Sequence, residues 1–220
     1  MKRQTSVSIL NKVDRRTMLV GALSGAAVIS LSWHKVLAAQ PTAVGLQPGP
    51  LTPMLGSANG TRVLAVYFDY HCPFCRAMDP LLRVLVQRNP DLQILFKEFP
   101  ILRLDSELAA RIALSAQLRG RYFEVHDRLM SLSGDYTGAV ATDIAQWLRV
   151  DPDPFRRDMG HPRVSAELEK NAQDALALGV VGTPALLTTK TVEQGGHTLA
   201  QLQALVDALA PRTSARSNVQ

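Results

Sequence analysis

VLAVYFDYHCPFC, residues 63–75, carries an apolar run directly into a pair of closely spaced cysteines. Residues 63–68 are almost all apolar and β-prone, as in a strand that is buried on both faces. Pro73 suits the first turn of a helix, where a missing N–H is tolerated, and apolar residues at helical spacing continue well beyond it. We therefore predict that Cys72 and Cys75 lie where a buried strand passes into a helix.

The rest of the chain completes an α/β pattern. A second apolar strand is predicted at residues 92–99, and the short crossover predicts that it runs parallel to the first. A block of helices follows, and then a turn, two short strands from about residue 180, and a C-terminal helix. The predicted helices of the block span residues 106–118, 121–132, 142–150, 153–158 and 164–178. The order indicates two parts of one sheet, separated by a helical insertion at about residues 104–178.

The basic charge of the chain belongs to its N-terminal part. The chain has 220 residues, with 24 Lys and Arg, 19 Asp and Glu, and a net charge of +5. Residues 1–39 hold six of the basic residues and one of the acidic residues, which leaves 18 of each in residues 40–220. A neutral body without a cluster of basic and aromatic residues argues against binding of nucleic acid.

Residues 1–39 are typical of an export signal. Arg15 and Arg16 precede a Gly/Ala-rich apolar run, small residues at 36–39 offer a cleavage site, and paired arginines in this position are typical of the twin-arginine route. The alternative is an uncleaved membrane anchor, although an apolar run of about 16 residues is slightly short for a bilayer. In either case we expect a periplasmic domain, which contacts the membrane only if the leader is retained.

The remaining boundaries follow from composition. Residues 40–60 are rich in Pro and Gly, so we predict a linker and an irregular lead-in there. A single domain is predicted at residues 61–210. The polar tail at residues 211–220 is predicted to be disordered.

The two cysteines are the only ones in the chain. A disulfide that closes so short a loop removes little entropy from the unfolded chain, which argues against a structural role. Half of a metal site is the alternative, but a structural zinc site needs four ligands, and the histidines at 71, 126, 161 and 197 are scattered. We predict a redox-active disulfide, no bound metal and no other cofactor.

The predicted position of Cys72 at a helix start assigns the roles of the two sulfurs. Backbone N–H groups and the positive end of the helix dipole favour a thiolate there, so Cys72 is predicted to be the exposed, attacking sulfur. Cys75 is predicted to be shielded and to resolve the mixed disulfide. A stabilised thiolate stabilises the reduced pair and makes the disulfide more oxidising. Pro73 and Phe74 modulate how oxidising the disulfide is, because Pro73 stiffens the turn and Phe74 adds no charge near the sulfur.

Gly182-Thr183-Pro184 forms a second motif, more than a hundred residues after the cysteines. An X-Pro bond between a helix and an apolar strand is a candidate cis peptide, and an ordinary trans proline is the alternative. Beside a Cys-x-x-Cys pair, a cis proline would present the backbone of Thr183 to an extended client segment. We therefore predict that Thr183 and Pro184 bind substrate.

Three motifs in this order resemble the DsbA-like branch of the thioredoxin superfamily: FDYHCPFC at 68–75, KEFPIL at 97–102 and GTP at 182–184. The resemblance covers about residues 58–210. It implies an α/β thioredoxin fold with a helical insertion between its β–α–β and β–β–α halves. It also implies a periplasmic enzyme that exchanges disulfides with unfolded or partly folded exported proteins and is reset by a redox partner.

Carried onto this chain, the resemblance makes Cys72 and Cys75 the redox pair and Pro184 the cis proline, with Thr183 contacting substrate. The sequence departs from the better-known members at two positions. Many of them carry a buried acid six residues before the first cysteine, where this chain has Val66, and a histidine between the cysteines, where it has Phe74.

Because of these departures, three residues near the cysteines each have two possible interpretations, one functional and one structural. Asp69 and Glu98 are candidate replacements for the missing acid, or else local hydrogen-bonding or surface residues. His71 is a candidate contact of the reactive sulfur, or else a partly exposed bystander.

The leading hypothesis is a dithiol oxidase. The alternatives are a disulfide isomerase or reductase of specific partners, and a periplasmic copper-handling protein that uses the same cysteines. Isomerases of this superfamily usually dimerise through an N-terminal region, and the roughly 20 residues between the leader and the first predicted strand are too few for one. Thr183 favours the isomerase, because threonine before the proline is common in that class.

Overall fold

The structure, a computed structural model, describes residues 44–211. The predicted export signal at residues 1–39 and nearly all of the predicted disordered tail lie outside the described residues. Within residues 44–211, no helix combines the length and the apolar character that are needed to cross a membrane.

A mixed five-stranded sheet forms the centre of the domain. Its strands lie in the order β1-β3-β2-β4-β5. β2 and β3 run parallel, and the other neighbouring pairs are antiparallel. The strands are β1 (Met54–Gly56), β2 (Arg62–Phe68), β3 (Leu92–Glu98), β4 (Ala185–Leu187) and β5 (Val192–Gln194).

The helices follow the predicted order of a β–α–β half, a helical block and a β–β–α half. Helix α1 (Pro73–Arg88) connects the two parallel strands, and α7 (Leu199–Asp207) follows β5. The block between β3 and β4 consists of α2 (Ser106–Gln117), α3 (Tyr122–Ser131), α4 (Gly138–Trp147), α5 (Pro152–Asp158) and α6 (Pro162–Leu178). The helical block therefore separates two parts of one sheet, as predicted.

β2 is apolar along its whole length because both faces of the sheet are covered. Side chains of a strand alternate between the two faces. One set packs with α1 and the helical block, and it consists of Leu64, Val66 and Phe68. The other set packs with Ala175 and Leu178 of α6, and it consists of Val63, Ala65 and Tyr67.

The predicted irregular lead-in is an integral part of the domain. It contains β1, which pairs antiparallel with β3. Leu51 is buried, and its amide donates a hydrogen bond to Glu167 Oε2 at 2.8 Å. The Thr52 hydroxyl donates to the same carboxylate. An edge strand of three residues between Pro53 and Gly56 is too short to leave an apolar pattern, so the Pro and Gly content concealed it.

The start of α4 is also earlier than the sequence predicted. Thr137 caps the helix by accepting a hydrogen bond from the amide of Val140, whereas the sequence predicted a helix that begins only at Thr142. Thr142 lies inside the helix, and its hydroxyl donates to the carbonyl of Gly138 at 3.1 Å. Both threonines are chemically able to cap, and the intervening glycine weakened the helical signal before Thr142.

Candidate active site

Cys72 begins α1. It is the N-cap residue of that helix, and Pro73 occupies the first turn. The backbone N–H of Cys75 donates a hydrogen bond to Cys72 Sγ, with 3.4 Å between nitrogen and sulfur. A helix start also directs the positive end of its dipole at the cap residue, so negative charge on this sulfur is stabilised. The predicted strand-to-helix position of the two cysteines is confirmed.

The Thr183–Pro184 peptide bond is cis, as predicted, and it lies against the cysteines. β4 pairs antiparallel with β2, with Ala185 opposite Tyr67. This register brings Thr183 to the end of β2, from which the chain continues to Cys72. The Cys72 thiol donates a hydrogen bond to the Thr183 carbonyl, with 3.2 Å between sulfur and oxygen. Two motifs 111 residues apart in sequence therefore form one site.

Both cysteines are buried, each with 2% of its surface exposed. The prediction that Cys72 is exposed is therefore wrong. Its sulfur is covered by the segment that carries Thr183, which lies far away in sequence. Burial raises the pKa of the Cys75 thiol, and the neighbouring Cys72 raises it further. The two sulfurs are thus distinguished by their hydrogen bonds and by their positions on the helix rather than by exposure.

Comparison with known proteins identifies the family. The DSBA-like thioredoxin domain family matches residues 63–209, about two thirds of the chain. The chain belongs to this family.

Solved structures with the DsbA-like thioredoxin fold are similar to this chain. One is a thioredoxin-like oxidoreductase from Silicibacter pomeroyi DSS-3, with 34% identity and a TM-score of 0.69 over 74% of this chain and 94% of that one. Another is the thiol-disulfide exchange protein alpha-DsbA2 from Wolbachia pipientis, with 25% identity and a TM-score of 0.66 over 72% and 87%. A third is a periplasmic thioredoxin-like protein from Salmonella enterica serovar Typhimurium, with 26% identity and a TM-score of 0.61 over 76% and 94%.

These similarities confirm the predicted α/β thioredoxin fold with its helical insertion. Fold and family are those of thioredoxin-like thiol–disulfide oxidoreductases. The curated relatives are much longer proteins. Na(+)/H(+) antiporter NhaA 1 from Salinispora arenicola is 25% identical over 173 residues, which is 76% of this chain and 26% of that protein. The chain therefore spans about a quarter of the length of the curated relatives that it matches.

Phe74 forms an exposed apolar surface beside the cysteine pair of this DsbA-like domain. It is 64% exposed, and its ring lies against Gly196. A groove of about 290 Å³ begins at this ring and runs along α1. Its lining residues are Phe74, Ala77, Met78, Leu81, Gly196, His197 and Thr198. Exposed apolar surface of this kind suits contact with an unfolded polypeptide.

His71 is held by the helical block. Its Nε2 atom lies 3.0 Å from Asp105 Oδ2, and its ring packs on the ring of Tyr136 with 4.7 Å between centroids. These contacts fit the bystander alternative better than a contact with the reactive sulfur.

Asp69 is a buried structural acceptor. Its carboxylate accepts four hydrogen bonds, of 2.8 to 3.0 Å, from the amides of His71, Ile101 and Leu102 and from the hydroxyl of Ser106. These bonds join the loop before Cys72 to the loop after β3. They fit the local hydrogen-bonding alternative rather than a role in proton transfer.

Glu98 is buried at the end of β3, next to two tyrosines. Its Oε1 atom accepts hydrogen bonds from Tyr70 at 2.9 Å and from Tyr122 at 2.7 Å. Burial raises the pKa of Glu98 to about 8, against the opposing effect of the two hydroxyl donors. Glu98 is therefore an acid that can hold a proton at neutral pH.

Sequence reasoning missed three members of this site, Tyr70, Asp79 and His126. His126, read there as a scattered histidine, is fully buried: its Nδ1 atom lies 2.9 Å from the Tyr70 hydroxyl, and its Nε2 atom lies 3.0 Å from Asp79 Oδ1. Asp79, His126, Tyr70 and Glu98 thus form one continuous chain of hydrogen bonds. The available signal was the spacing of His126, which follows Tyr122 by one helical turn among apolar residues.

In the part of the chain that the structure describes, one group of side chains has the geometry of a metal site. It consists of Asp79, His126 and Asp127, whose ligand atoms lie within 4.8 Å of one another. Arg83 pairs with both acids, and its Nε atom is 4.0 Å from Asp79 Oδ2. This guanidinium already supplies the positive charge that a metal would bring, and the group does not include the cysteines.

Proposed function

We propose that this chain is a periplasmic dithiol oxidase that donates the Cys72–Cys75 disulfide to exported proteins. The observation that carries the proposal is the placement of Cys72 Sγ. It accepts the Cys75 N–H at the start of α1 and lies 3.2 Å from the carbonyl that precedes the cis proline. The sulfur is thus placed both to carry negative charge and to meet a bound polypeptide.

The proposed chemistry follows from the different positions of the two sulfurs, with Cys72 at the helix start and Cys75 inside the helix. A client thiolate attacks Cys72 Sγ, the Cys72–Cys75 bond breaks, and the electron pair of that bond remains on Cys75. A second client thiolate then attacks the client sulfur of the mixed disulfide, and Cys72 leaves as a thiolate that the helix start stabilises. The two sulfurs accept both electrons, so the proposed reaction needs no other cofactor.

The proposed clients are unfolded or partly folded polypeptides. The cis-proline segment offers the backbone of Thr183 to an extended chain, which can pair with it as a short additional strand. Phe74 and the groove beside it offer apolar contact. Neither contact selects a particular side chain, which suits an enzyme with many clients.

The proposed location rests on the leader and on similarity. Residues 1–39 have the pattern of a twin-arginine export signal, and one of the similar structures is that of a periplasmic protein. An oxidase in that compartment also needs a redox partner that returns the Cys72–Cys75 disulfide after each cycle. We propose such a partner, and contact with the membrane only if the leader is retained.

The reduction potential of the cysteine pair tests the direction of electron flow. We expect a value less negative than about −200 mV, because the helix start stabilises the reduced form through the Cys72 thiolate. Equilibration with glutathione buffers of known potential measures it. A value below about −250 mV would instead indicate a reductase.

Two activity assays separate the remaining alternatives. We expect the oxidised protein to introduce disulfides into a reduced client faster than the reduced protein rearranges a scrambled one. The opposite order would favour an isomerase. Stoichiometric, tight binding of Cu(I) by the reduced protein, without disulfide exchange, would favour the copper-handling alternative.

Replacing Cys75 with serine should trap clients on the enzyme. Cys72→Ser, which keeps Cys75, is the matched control. In Cys75→Ser, Cys72 still forms mixed disulfides, but no resolving thiol is present to break them. Non-reducing electrophoresis after incubation with a client disulfide should show a covalent complex that reducing agent removes. Equal complex formation by Cys72→Ser would contradict the assignment of Cys72 as the attacking sulfur.

A further inference from the structure

Disulfide exchange at a buried Cys75 requires a proton donor and acceptor inside the protein. Cys75 becomes a thiolate whenever the Cys72–Cys75 bond breaks, and it must lose a proton before the bond re-forms. Its thiolate is disfavoured because burial raises the pKa of the thiol. The position that carries a buried acid in many relatives is Val66 here, so the proton must come from elsewhere.

A small cavity beside Cys75 identifies the candidate. It has a volume of about 10 Å³, roughly the space of one water molecule. Val66, Cys75 and Asp79 all line it, and the other lining residues are apolar: Phe68, Met78, Leu82, Phe96 and Met130. Asp79 follows Cys75 by four residues on α1, so the two side chains lie on one face of the helix. Asp79 is therefore the acid that borders the space next to Cys75.

Asp79 is also the end of the buried hydrogen-bond chain. From its Oδ1 atom the chain continues to His126 Nε2 at 3.0 Å, from His126 Nδ1 to the Tyr70 hydroxyl at 2.9 Å, and from Tyr70 to Glu98 at 2.9 Å. Each internal member can both donate and accept a hydrogen bond. Such a chain can pass a proton from one end to the other by reversing every hydrogen bond.

The two arrangements of the chain differ by the position of one proton. In the first, Glu98 is protonated and donates to Tyr70, Tyr70 donates to His126, and His126 donates to the Asp79 carboxylate. In the second, Asp79 is protonated and donates to His126, His126 donates to Tyr70, and Tyr70 donates to the Glu98 carboxylate. Reversal of the three bonds thus moves a proton between Glu98 and Asp79 without moving a heavy atom.

We propose that Asp79 exchanges the proton of Cys75 through one water molecule in this cavity, and that His126, Tyr70 and Glu98 store and return that proton. The inference rests on the proposed function. When a client thiolate attacks Cys72 Sγ, the client–Cys72 bond forms and the Cys72–Cys75 bond breaks. The electron pair stays on Cys75 Sγ, which takes the proton from Asp79. The client sulfur is oxidised and Cys75 is reduced.

The same groups act in reverse during reoxidation by a disulfide. Cys75 gives its proton to Asp79 and attacks Cys72 Sγ in the mixed disulfide. The Cys72–Cys75 bond forms, and the other sulfur leaves as a thiolate. The hydrogen-bond chain from Asp79 to Glu98 receives the proton, which Glu98 can hold at neutral pH because of its burial.

The charged and titratable groups around Asp79 are consistent with Asp79 as the group that exchanges the Cys75 proton. α1 contributes Cys75 and Arg83, and α3 contributes His126 and Asp127. β2 and β3 line the cavity with apolar side chains, and Glu98 reaches Asp79 through Tyr70 and His126. Arg83 lies close enough to offset the charge of an ionised Asp79.

A two-step kinetic experiment on the reduced full-length protein tests the proposal. A chromogenic aromatic disulfide releases one coloured thiolate when Cys72 attacks it and a second when Cys75 resolves the mixed disulfide. We expect Asp79→Asn to slow the second release by about a hundredfold near neutral pH and to leave the first unchanged. The difference should shrink as the pH rises, because hydroxide then removes the proton.

Two further variants complete the experiment. Asp127→Asn is the matched control: it removes an acid that pairs with the same Arg83 but does not line the cavity, and we expect both releases to keep the wild-type rate. Glu98→Gln should change the pH dependence of the second release, and a profile identical to the wild type would overturn the part of the relay beyond Asp79.

The remaining outcomes are decisive. The proposal is overturned if Asp79→Asn resolves as fast as the wild type, if it slows both releases equally, or if Asp127→Asn has the same effect as Asp79→Asn. A wild-type protein that releases only the first thiolate would instead contradict the proposed function itself, so the two failures can be told apart.

Discussion

Replacing Cys72 with serine should abolish disulfide exchange, with a loss of rate on the order of 10⁴-fold or more. A hydroxyl at the same position can still accept a hydrogen bond from the Cys75 amide, but it cannot form a disulfide. Cys75 cannot take over the reaction, because its thiol pKa is raised and it lies inside the helix rather than at the N-cap position. The rate of oxidation of a reduced client, measured by the appearance of its disulfide, checks this result.

The matched control is Pro73→Ala, which keeps both sulfurs. It should retain exchange, with an altered reduction potential, because the residues between the cysteines tune the stability of the thiolate. Substantial client oxidation by Cys72→Ser would show that the reactive sulfur is wrongly assigned.

Replacing Asp69 with alanine should lower the free energy of unfolding by about 4 kcal/mol. The change leaves three amides and one hydroxyl without their acceptor in a buried site, where hydrogen bonds to a charged group are stronger than neutral ones. The affected groups belong to His71, Ile101, Leu102 and Ser106. Urea unfolding measures this loss of stability, provided that the slope of the unfolding free energy against urea concentration is the same for both proteins.

Asp91→Asn provides the comparison for Asp69→Ala. Asp91 forms a half-exposed ion pair with Arg62, so its replacement should lower the free energy of unfolding by less than about 1 kcal/mol. If Asp69→Ala were as stable as Asp91→Asn, the Asp69 carboxylate would not be the structural acceptor that its hydrogen bonds indicate.

Local sequence predicted the parts of the fold that depend on local physics. The apolar run at residues 63–68 predicted a doubly covered strand, because alternate side chains meet different helices. Pro73 predicted the helix start that positions Cys72. The strand and the helix start are each determined by neighbouring residues and by the periodicity of the chain. The cis bond at Pro184 was not predicted from its local position alone, because that prediction also needed the distant Cys-x-x-Cys pair and the β–α–β order.

The features that were missed depend on contacts between distant residues. β1 is stabilised by its pairing with β3 and by Glu167, both far away in sequence. Cys72 is buried by a segment 111 residues later. The side chains that link Asp79 to Glu98 come from four separate parts of the chain. A local pattern contains no information on which of these groups meet.

The hydrogen bond from the Cys72 thiol to the Thr183 carbonyl has a consequence for turnover. That carbonyl is the acceptor which an extended client would use to dock. In the disulfide form the sulfur bears no hydrogen, so the acceptor is available to an incoming chain. In the reduced form the sulfur competes for this acceptor whenever it carries a proton, which in the proposed function would favour departure of the oxidised client. In the proposed oxidase, this one atom pair would make the affinity for the client depend on the oxidation and protonation state of Cys72.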